Sequence, residues 1–299
     1  MIKKILYFLI VFGLLPVNLF ANAEQSTKLK VACSHPQVCR LIDWMYPNQS
    51  ISTIFPIGEI AGDPHHFEPS PSDLRGLLDQ KVLITAPVPL QPWVRGVVRQ
   101  RARNSEARTL TLNTSEIEKK YKSSTRESLA HFWLFPDAIC SMANQIHKFI
   151  GQEQEELELH INKEINCDAL NQRIASSFKN YREKKNYPVV ITHDALTPLF
   201  QEHDVEHLTL RSSGHGDRVN SRHIRRLENL IGKSEETPLV WIEEDQIFKN
   251  PQIQARKREM DITLNLTTDG PVNYQQKDKQ GDDFLLPLKQ LKGFLNKNE

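Results

Sequence analysis

The chain is 299 residues long, and its 38 lysines and arginines nearly balance its 37 aspartates and glutamates, for a formal net charge of +1. A chain of this size can bury one large core or two modest ones. Because basic residues are not in excess, the composition does not indicate binding to nucleic acid or to an anionic membrane surface.

The first residues, "MIKKILYFLIVFGLLPVNLFANA", have the pattern of a secretory signal peptide. Two lysines precede an apolar run from Ile5 to Phe20, and Ala21 and Ala23 form an A-x-A site. Pro16 interrupts the run, which favours cleavage over an uncleaved membrane anchor. We therefore predict a signal peptide over residues 1–23, cleaved after Ala23, and an exported protein.

Short apolar runs alternate with amphipathic ones in the first half of the mature chain. Strands are predicted at "LKVAC", "ISTIFPI", "KVLIT" and "TLTLN", and helices at "VCRLIDWMY", "PSDLRGLLDQ" and "QPWVRGVVRQRA". The segment "TSEIEKKYKSSTRESLA" is predicted to be a charged loop, followed by a helix from about Pro136. This alternation predicts βαβ units and a parallel sheet.

A stretch of over 30 residues without proline or glycine, "EQEELELHINKEINCDALNQRIASSFKNYREKK", follows Gly151. It predicts one long helix or a helix with a break. After Tyr187 the alternation resumes, with strands at "PVVIT", "EHLTL", "PLVWIEE" and "ITLNL" and helices at "ALTPLFQEH", "SRHIRRLENLIG", "NPQIQARKREM" and "LLPLKQLKGFL".

The predicted fold class is therefore α/β, with two lobes joined by a long helix. We predict an N-terminal lobe over residues 24–159, a connecting helix over 160–186 and a C-terminal lobe over 187–299. The alternative is a single large doubly wound domain.

Four cysteines are present, an even number in a chain bound for an oxidising compartment. Three pairings are available to four cysteines, and counting does not separate them. The most local pairing joins Cys33 to Cys39 and Cys140 to Cys167, and buried free thiols are the alternative. A zinc cluster of these four is less favoured, because the sequence has no C-x-x-C pair.

The stretch "GDPHHFEPSPSDL" holds two histidines in a loop that three prolines restrict. Ser70, Pro71 and Asp73 predict a capping box, so that a helix begins at Pro71. The loop is either a rigid ligand-bearing segment, with His65 and His66 as donors, or a well-formed turn with two solvated histidines.

The position of the strands divides the eleven histidines into two groups, because ligands of open α/β sheets collect beyond the carboxyl ends of the strands. Five are predicted in helices or before a strand, where we expect no ligand role: His147, His160, His203, His207 and His223. The others follow predicted strands: His35, His65, His66, His131, His193 and His215. Asp269 follows the last strand and could add a carboxylate.

Three imidazoles and a carboxylate suit a borderline divalent metal, above all zinc. His65, His131, His193 and Asp269 are each more than sixty residues from the next, so only the fold could assemble them. The sequence contains no H-E-x-x-H, G-x-S-x-G, P-loop or G-x-G-x-x-G motif.

Five segments, in order, resemble motifs of the metal-binding solute-binding proteins of bacterial ABC transporters, the group that serves zinc and manganese uptake. "GDPHHFEPSPSDL" is similar to the family's G-x-D-P-H-x-Y-E-P-x-P-x-D signature, and "LQPWV" to its L-E-P-W-L segment. "HFWLFPD" is similar to H-x-W-L-D-P, "VVITHDAL" to V-V-x-S-H-D-A-F, and "VWIEEDQIFKNPQIQ" to the strand and helix around its E-P-Q element.

The resemblance implies a metal site in the cleft between the lobes, with His65, His131 and His193 as ligands. A histidine at the third position goes with zinc in this family, and a glutamate with manganese. The fourth ligand departs from the family, because the family's aspartate aligns nearest to Thr267 of this chain. Asp269, water or His215 would complete the coordination shell of the metal. The loop over 114–130 has no histidine, so an auxiliary zinc-capturing loop is not expected.

The implied function is capture of a divalent metal, Zn²⁺, in the periplasm and its delivery to the membrane permease of an ABC importer, without catalysis. We expect a monomer, little lobe closure and no nucleic-acid partner. The alternatives are a manganese- or iron-binding member of the family, a zinc-dependent hydrolase with Glu68 as base, and a surface adhesin.

Overall fold

Two four-stranded parallel sheets form the frame of the protein. The computed structural model describes residues 28–46, 51–57, 67–121, 124, 126–153, 166–192, 194–210, 219–244, 251–266 and 284–297. The predicted signal peptide lies outside these ranges. None of the described helices combines the length and the apolar character that crossing a membrane requires.

The first sheet has the strand order β2-β1-β3-β4. Its strands are β1 (Leu29–Cys33), β2 (Ile51–Ile54), β3 (Val82–Thr85) and β4 (Arg108–Thr111), and the helices between them are α1 (Pro36–Met45), α2 (Pro71–Leu78) and α3 (Val94–Arg101). From β1 the chain passes to β2 at one edge of the sheet, and it then crosses β1 to reach β3 and finally β4 at the other edge. Right-handed crossovers therefore put α1 on one face and α2 and α3 on the other, where α2 packs against α3.

Helix α2 begins at Pro71, as its sequence predicts. The Ser70 hydroxyl accepts a hydrogen bond from the backbone N–H of Asp73, and the Asp73 carboxylate accepts one from the backbone N–H of Ser70. These reciprocal bonds satisfy donors at the helix start.

Arg101, at the end of α3, is a buried charge that joins three elements of this lobe. Its guanidinium donates to backbone carbonyls around the C-terminus of α2, among them Leu77 and Gln80, and to the carbonyl of Arg108 at the start of β4. Its Nε donates to the Thr109 hydroxyl at 2.8 Å. A planar guanidinium with several donors can serve so many carbonyls at once.

The region between β4 and the connecting helix corrects one prediction. The segment predicted as a charged loop contains two short helices, α4 (Ser115–Lys120) and α5 (Arg126–Ala130), followed by a 3-10 turn (Phe132–Leu134) and helix α6 (Pro136–Glu153). Ile117 and Leu129 are buried, and they anchor the two short helices despite the charged residues around them. Gly151 lies within α6 rather than at a break.

The connecting helix α7 runs from Cys167 to Lys184. Asn166 is its N-cap, and its side chain accepts from the backbone N–H of Ala169 at 2.8 Å. Helix α7 therefore begins at Cys167, in agreement with the predicted alternative of a helix with a break. Residues 154–165 lie outside the described ranges.

The second sheet repeats the first, with the order β6-β5-β7-β8. Its strands are β5 (Val189–Ile191), β6 (His207–Thr209), β7 (Val240–Glu244) and β8 (Ile262–Leu266), and its helices are α8 (Thr197–Glu202), α9 (Ser221–Lys233), α10 (Pro251–Gln254) and α11 (Leu286–Asn296). A 3-10 turn over Asp194–Leu196 precedes α8. Helix α10 is shorter than predicted, because Arg258 bonds to the side chain of Asp261 in the turn that follows it.

Two hydrophobic clusters fill the described part of the fold. In β5, Val189 and Ile191 face the larger cluster, which also takes in the first sheet, α6 and α7, while Val190 faces a smaller one beneath α9. Both faces of the second sheet are thus covered, as expected for parallel strands. Because the sheets are separate, the alternative of one doubly wound domain is wrong.

Two disulfides are formed, and they are the local pair of bridges predicted from the sequence. Cys33 bonds to Cys39, with Cα atoms 5.6 Å apart, and ties the end of β1 to α1. Cys140 bonds to Cys167, with Cα atoms 6.0 Å apart, and ties α6 to the first residue of α7.

Candidate metal centre

Of the four predicted metal ligands, His131 is the one that the structure describes. His65, His193 and Asp269 lie outside the described residues, as do the neighbouring candidates His66 and His215. The described part of the chain contains no group of three or more histidines, cysteines or acids that could hold a metal. The predicted ligand set therefore stays a prediction, and the geometry below concerns the surroundings of His131.

His131 lies between α5 and the 3-10 turn that precedes α6, and its side chain is buried. Its Nδ1 is 3.3 Å from the backbone carbonyl of Ser128. Since a carbonyl can only accept, this contact requires the proton on Nδ1. A backbone carbonyl that orients the ring through Nδ1 is the usual partner of a histidine that binds a metal through Nε2.

The ring of His131 is packed as well as hydrogen-bonded. The buried indole of Trp133 meets it edge-on, with ring centroids 5.3 Å apart and an interplanar angle of 67°. Phe132 in turn packs edge-on against Trp133. Contacts of this kind restrict the rotamers of a buried imidazole, so that its position is set before any ligand arrives.

His35 follows β1 and was a further candidate ligand, but the structure gives it another role. Its Nδ1 accepts from the backbone N–H of Gln37 at 3.2 Å and caps α1. An accepting Nδ1 requires the proton on Nε2, so this tautomer offers no lone pair to a metal. The ring stacks on Trp133, with centroids 5.3 Å apart, and thus packs against the residue that also contacts His131.

The described histidines that the sequence assigns no ligand role are engaged elsewhere. His147 lies 2.8 Å from the Tyr46 hydroxyl, His203 stacks on Phe178, His207 bonds to the Val205 carbonyl, and His223 completes a capping box on α9. Burial lowers the pKa of His203 below its ordinary value, which favours the neutral ring.

A buried contact between the two halves of the chain lies next to His131. The Ser128 hydroxyl donates to Oδ2 of Asp194 at 2.9 Å, across a separation of 66 residues. Asp194 opens the 3-10 turn after β5 and directly follows position 193. Neither residue can be selected from a motif in the sequence; the one available signal is the acid in "THDAL", close to a strand end.

A second cluster joins the halves through charged residues. Glu202, at the end of α8, accepts from the Tyr121 hydroxyl at 2.6 Å and pairs with Lys120 at 2.5 Å. Lys120 also pairs with Asp137, which accepts from Asn171 of α7 at 2.7 Å. Burial acts to lower the pKa of Lys120, but its hydrogen bonds to the two carboxylates and their negative charges raise it above its ordinary value.

Two parallel α/β lobes of identical strand order, joined by a connecting helix, have the architecture of a two-lobed solute-binding protein. The chain belongs to the family described as zinc-uptake complex component A, periplasmic, whose model matches residues 51–283. It is thus a metal-binding component of ABC uptake systems and not an enzyme, so the hydrolase alternative is wrong.

Solved structures share this fold. The periplasmic zinc-binding protein TroA from Treponema pallidum superposes with a TM-score of 0.68 at 13% identity, over 90% of this chain and 98% of that one. Zn(II)-bound AdcA from Streptococcus pneumoniae gives 0.64 at 13%, over 90% of this chain and 57% of that one. The laminin-binding protein Lbp of Streptococcus pyogenes gives 0.65 at 15%, over 89% and 98%.

At these identities the likeness shows the fold alone. A comparison with curated protein sequences gave no significant match.

Proposed function

We propose that the protein captures one zinc ion in the periplasm and delivers it to the membrane permease of an ABC importer, with His65, His131, His193 and Asp269 as the metal ligands. The observation that carries this proposal is the setting of His131: a buried imidazole whose Nδ1 lies 3.3 Å from the Ser128 carbonyl, the arrangement typical of a histidine that binds a metal through Nε2. Membership of the family supports it.

Zinc is the metal that this ligand set suits best. Three neutral imidazoles favour a borderline ion such as zinc, whereas manganese favours more oxygen ligands. A manganese- or iron-binding role is the alternative within the family. The third histidine decides between them, because a carboxylate there would shift the donor set toward oxygen.

The proposed organisation follows from the same reasoning. In this proposal the lobes span residues 24–159 and 187–299, the connecting segment 160–186 contains α7, and the site lies in the cleft between the lobes. The bond between Ser128 and Asp194 supports the cleft, because it joins the segment of His131 to the segment that follows position 193. The two disulfides suit an oxidising compartment and hence support export; the proposed cleavage after Ala23 rests on the A-x-A pattern of the sequence. We propose a monomer.

Metal analysis of protein purified without chelator or added metal tests the metal, and zinc titration of variants tests the site. We expect one zinc per chain. His131→Ala should weaken zinc binding by about two orders of magnitude or more, because it removes a direct ligand. His223→Gln, on the outer helix α9, is the matched control and should titrate like the unmodified protein.

Two results would overturn the proposal. One is a His131→Ala variant that binds zinc as tightly as the unmodified protein. The other is a purified protein that carries manganese or iron and prefers it in competition with zinc.

A further inference from the structure

We propose that Ser128 is a positioning residue that joins the metal site to both lobes: its carbonyl sets the His131 ring, and its hydroxyl holds Asp194 beside position 193. The inference rests on the proposed metal site and adds to it a residue that binds no metal. It concerns how the ligand-bearing segments of the two halves are held at one fixed separation.

The carbonyl of Ser128 is the first half of this arrangement. It accepts from the backbone N–H of His131 at 3.2 Å and from His131 Nδ1 at 3.3 Å. One oxygen thus determines both the turn of the chain that leads out of α5 and the orientation of the imidazole. Any displacement of α5 would carry the ring with it.

The hydroxyl of Ser128 is the second half. Ser128 is 2% exposed and Asp194 is 6% exposed, so the bond between them is shielded from water. A carboxylate buried to this degree requires hydrogen-bond donors, because leaving it without them carries a large desolvation cost. The bond therefore favours one docking position of α5 on the 3-10 turn, which are packed together.

Strand β5 fixes the position of Asp194, at the other end of the bond from Ser128. Val189, Val190 and Ile191 pair with both β6 and β7, and the Thr192 backbone N–H donates to the Ile242 carbonyl. Asp194 follows from a strand in the middle of the second sheet and has little freedom. The chain of contacts from the second sheet through Asp194 and Ser128 to His131 is thus continuous.

The cluster of Lys120, Tyr121, Asp137 and Glu202 provides a comparison within the same molecule. It also joins the two halves, through the buried Tyr121 and partly exposed charged side chains, and the bond from Tyr121 to Glu202 is 2.6 Å long. The contacts that orient the His131 ring come instead from Ser128 and Trp133. Tyr121→Phe removes an interlobe hydrogen bond without touching the proposed positioning chain.

The experiment measures zinc affinity by competition with a chromophoric chelator and the absorption bands of the Co²⁺-substituted protein. Ser128→Ala keeps the carbonyl and removes the hydroxyl. We expect zinc affinity to fall about tenfold, the range for groups that orient a ligand without binding the metal, and the Co²⁺ bands to shift. Tyr121→Phe should leave both close to those of the unmodified protein.

Asp194→Asn and a double-mutant cycle separate positioning from general damage. Asp194→Asn keeps an oxygen acceptor for Ser128, and we expect a smaller loss of affinity than in Asp194→Ala. The losses of Ser128→Ala and Asp194→Ala should not add in the double variant, since each removes the same bond. Should Ser128→Ala fail to fold, the contrast between Asp194→Asn and Asp194→Ala decides the question.

Three results would overturn the inference: unchanged affinity and Co²⁺ bands in Ser128→Ala, an equal loss in Tyr121→Phe, or additive losses in the double variant. His131→Ala distinguishes the positioning role of Ser128 from the proposed metal site on which it rests. If His131→Ala loses zinc and Ser128→Ala does not, the positioning role is wrong and the metal site stands. If His131→Ala binds zinc normally, the proposed site itself is wrong.

Discussion

Asp261 joins several parts of the second lobe through one carboxylate. It accepts from the backbone N–H of Leu239 and from the indole N–H of Trp241, each at 3.0 Å, and from the backbone and guanidinium of Arg258. Its side chain is 1% exposed. Burial acts to raise the pKa of Asp261, but these hydrogen bonds outweigh burial and lower it below the ordinary value of 3.8.

Because the folded pKa is depressed, the stabilisation by the Asp261 carboxylate is fully present above pH 3.8 and is lost as the pH falls below that value. We expect Asp261→Asn to lower the free energy of unfolding of the metal-free protein by about 2 kcal/mol at pH 7. The difference should shrink as the pH falls below about 4.

Urea denaturation of both proteins between pH 3 and pH 7 measures this difference. Asp204→Asn is the control, since the Asp204 side chain is 84% exposed and its pair with Arg182 is long. A difference that is constant across the whole pH range would contradict the assigned role of the carboxylate.

At the scale of elements, the two disulfides differ in the length of chain they close. Cys33 and Cys39 are 6 residues apart, whereas Cys140 and Cys167 are 27 apart and join two long helices. In the chain-entropy account, a longer closed loop constrains the unfolded chain more. The bridge between α6 and α7 should therefore contribute more to stability.

We expect removal of the Cys140–Cys167 bridge by double alanine substitution to cost about 3.5 kcal/mol, and removal of the Cys33–Cys39 bridge about 2.3 kcal/mol. Chemical denaturation under non-reducing conditions measures both. Peptide mapping without reduction checks the pairing, and recovery of Cys33 linked to Cys140 or Cys167 would contradict it.

The elements that the sequence predicts well are those with strong local signals. Alternating apolar strands and the capping box of Ser70 and Asp73 need no tertiary information, and both are confirmed. Helices α4 and α5 were missed because only a few buried anchors, such as Ile117 and Leu129, hold a charged segment in place. Helix α10 was predicted too long, because the contact that ends it depends on Asp261, beyond the helix.

The candidate site was predictable only where a local sequence signal marks the residue. His131 could be selected because it matches a family motif and lies in the connection after a predicted strand. Ser128 could not, because its role depends on a partner 66 residues away that only the fold brings to it. The capping role of His35 was equally hidden, since it depends on which ring nitrogen meets the N–H of Gln37.

At the scale of the whole molecule, the larger hydrophobic cluster crosses from one lobe to the other. It includes residues of the first sheet, such as Val31, residues of α6 and α7, and Ile191 and Ile242 of the second sheet. A shared core of this kind couples the stability of the two lobes, because neither can lose its packing without exposing the other.

We therefore expect the metal-free protein to unfold in one cooperative transition, with equal calorimetric and van't Hoff enthalpies. Zinc at about 1,000 times its dissociation constant should add about 4 kcal/mol of stability, because the ion binds the folded state. Differential scanning calorimetry with and without zinc measures both. Two separated transitions would contradict the shared core, and His131→Ala should lose the response to zinc.

The continuity of that core also sets the size of the movement by which an ion can enter or leave. Wide rotation of the halves would bring apolar rings such as Phe178 and Phe200, which pack edge-on between α7 and α8, into contact with water. Exposing each buried ring costs about 2 kcal/mol, so thermal energy alone rarely reaches a widely opened state. For the proposed function, release of the ion would then require a small local displacement rather than a hinged opening of the two halves.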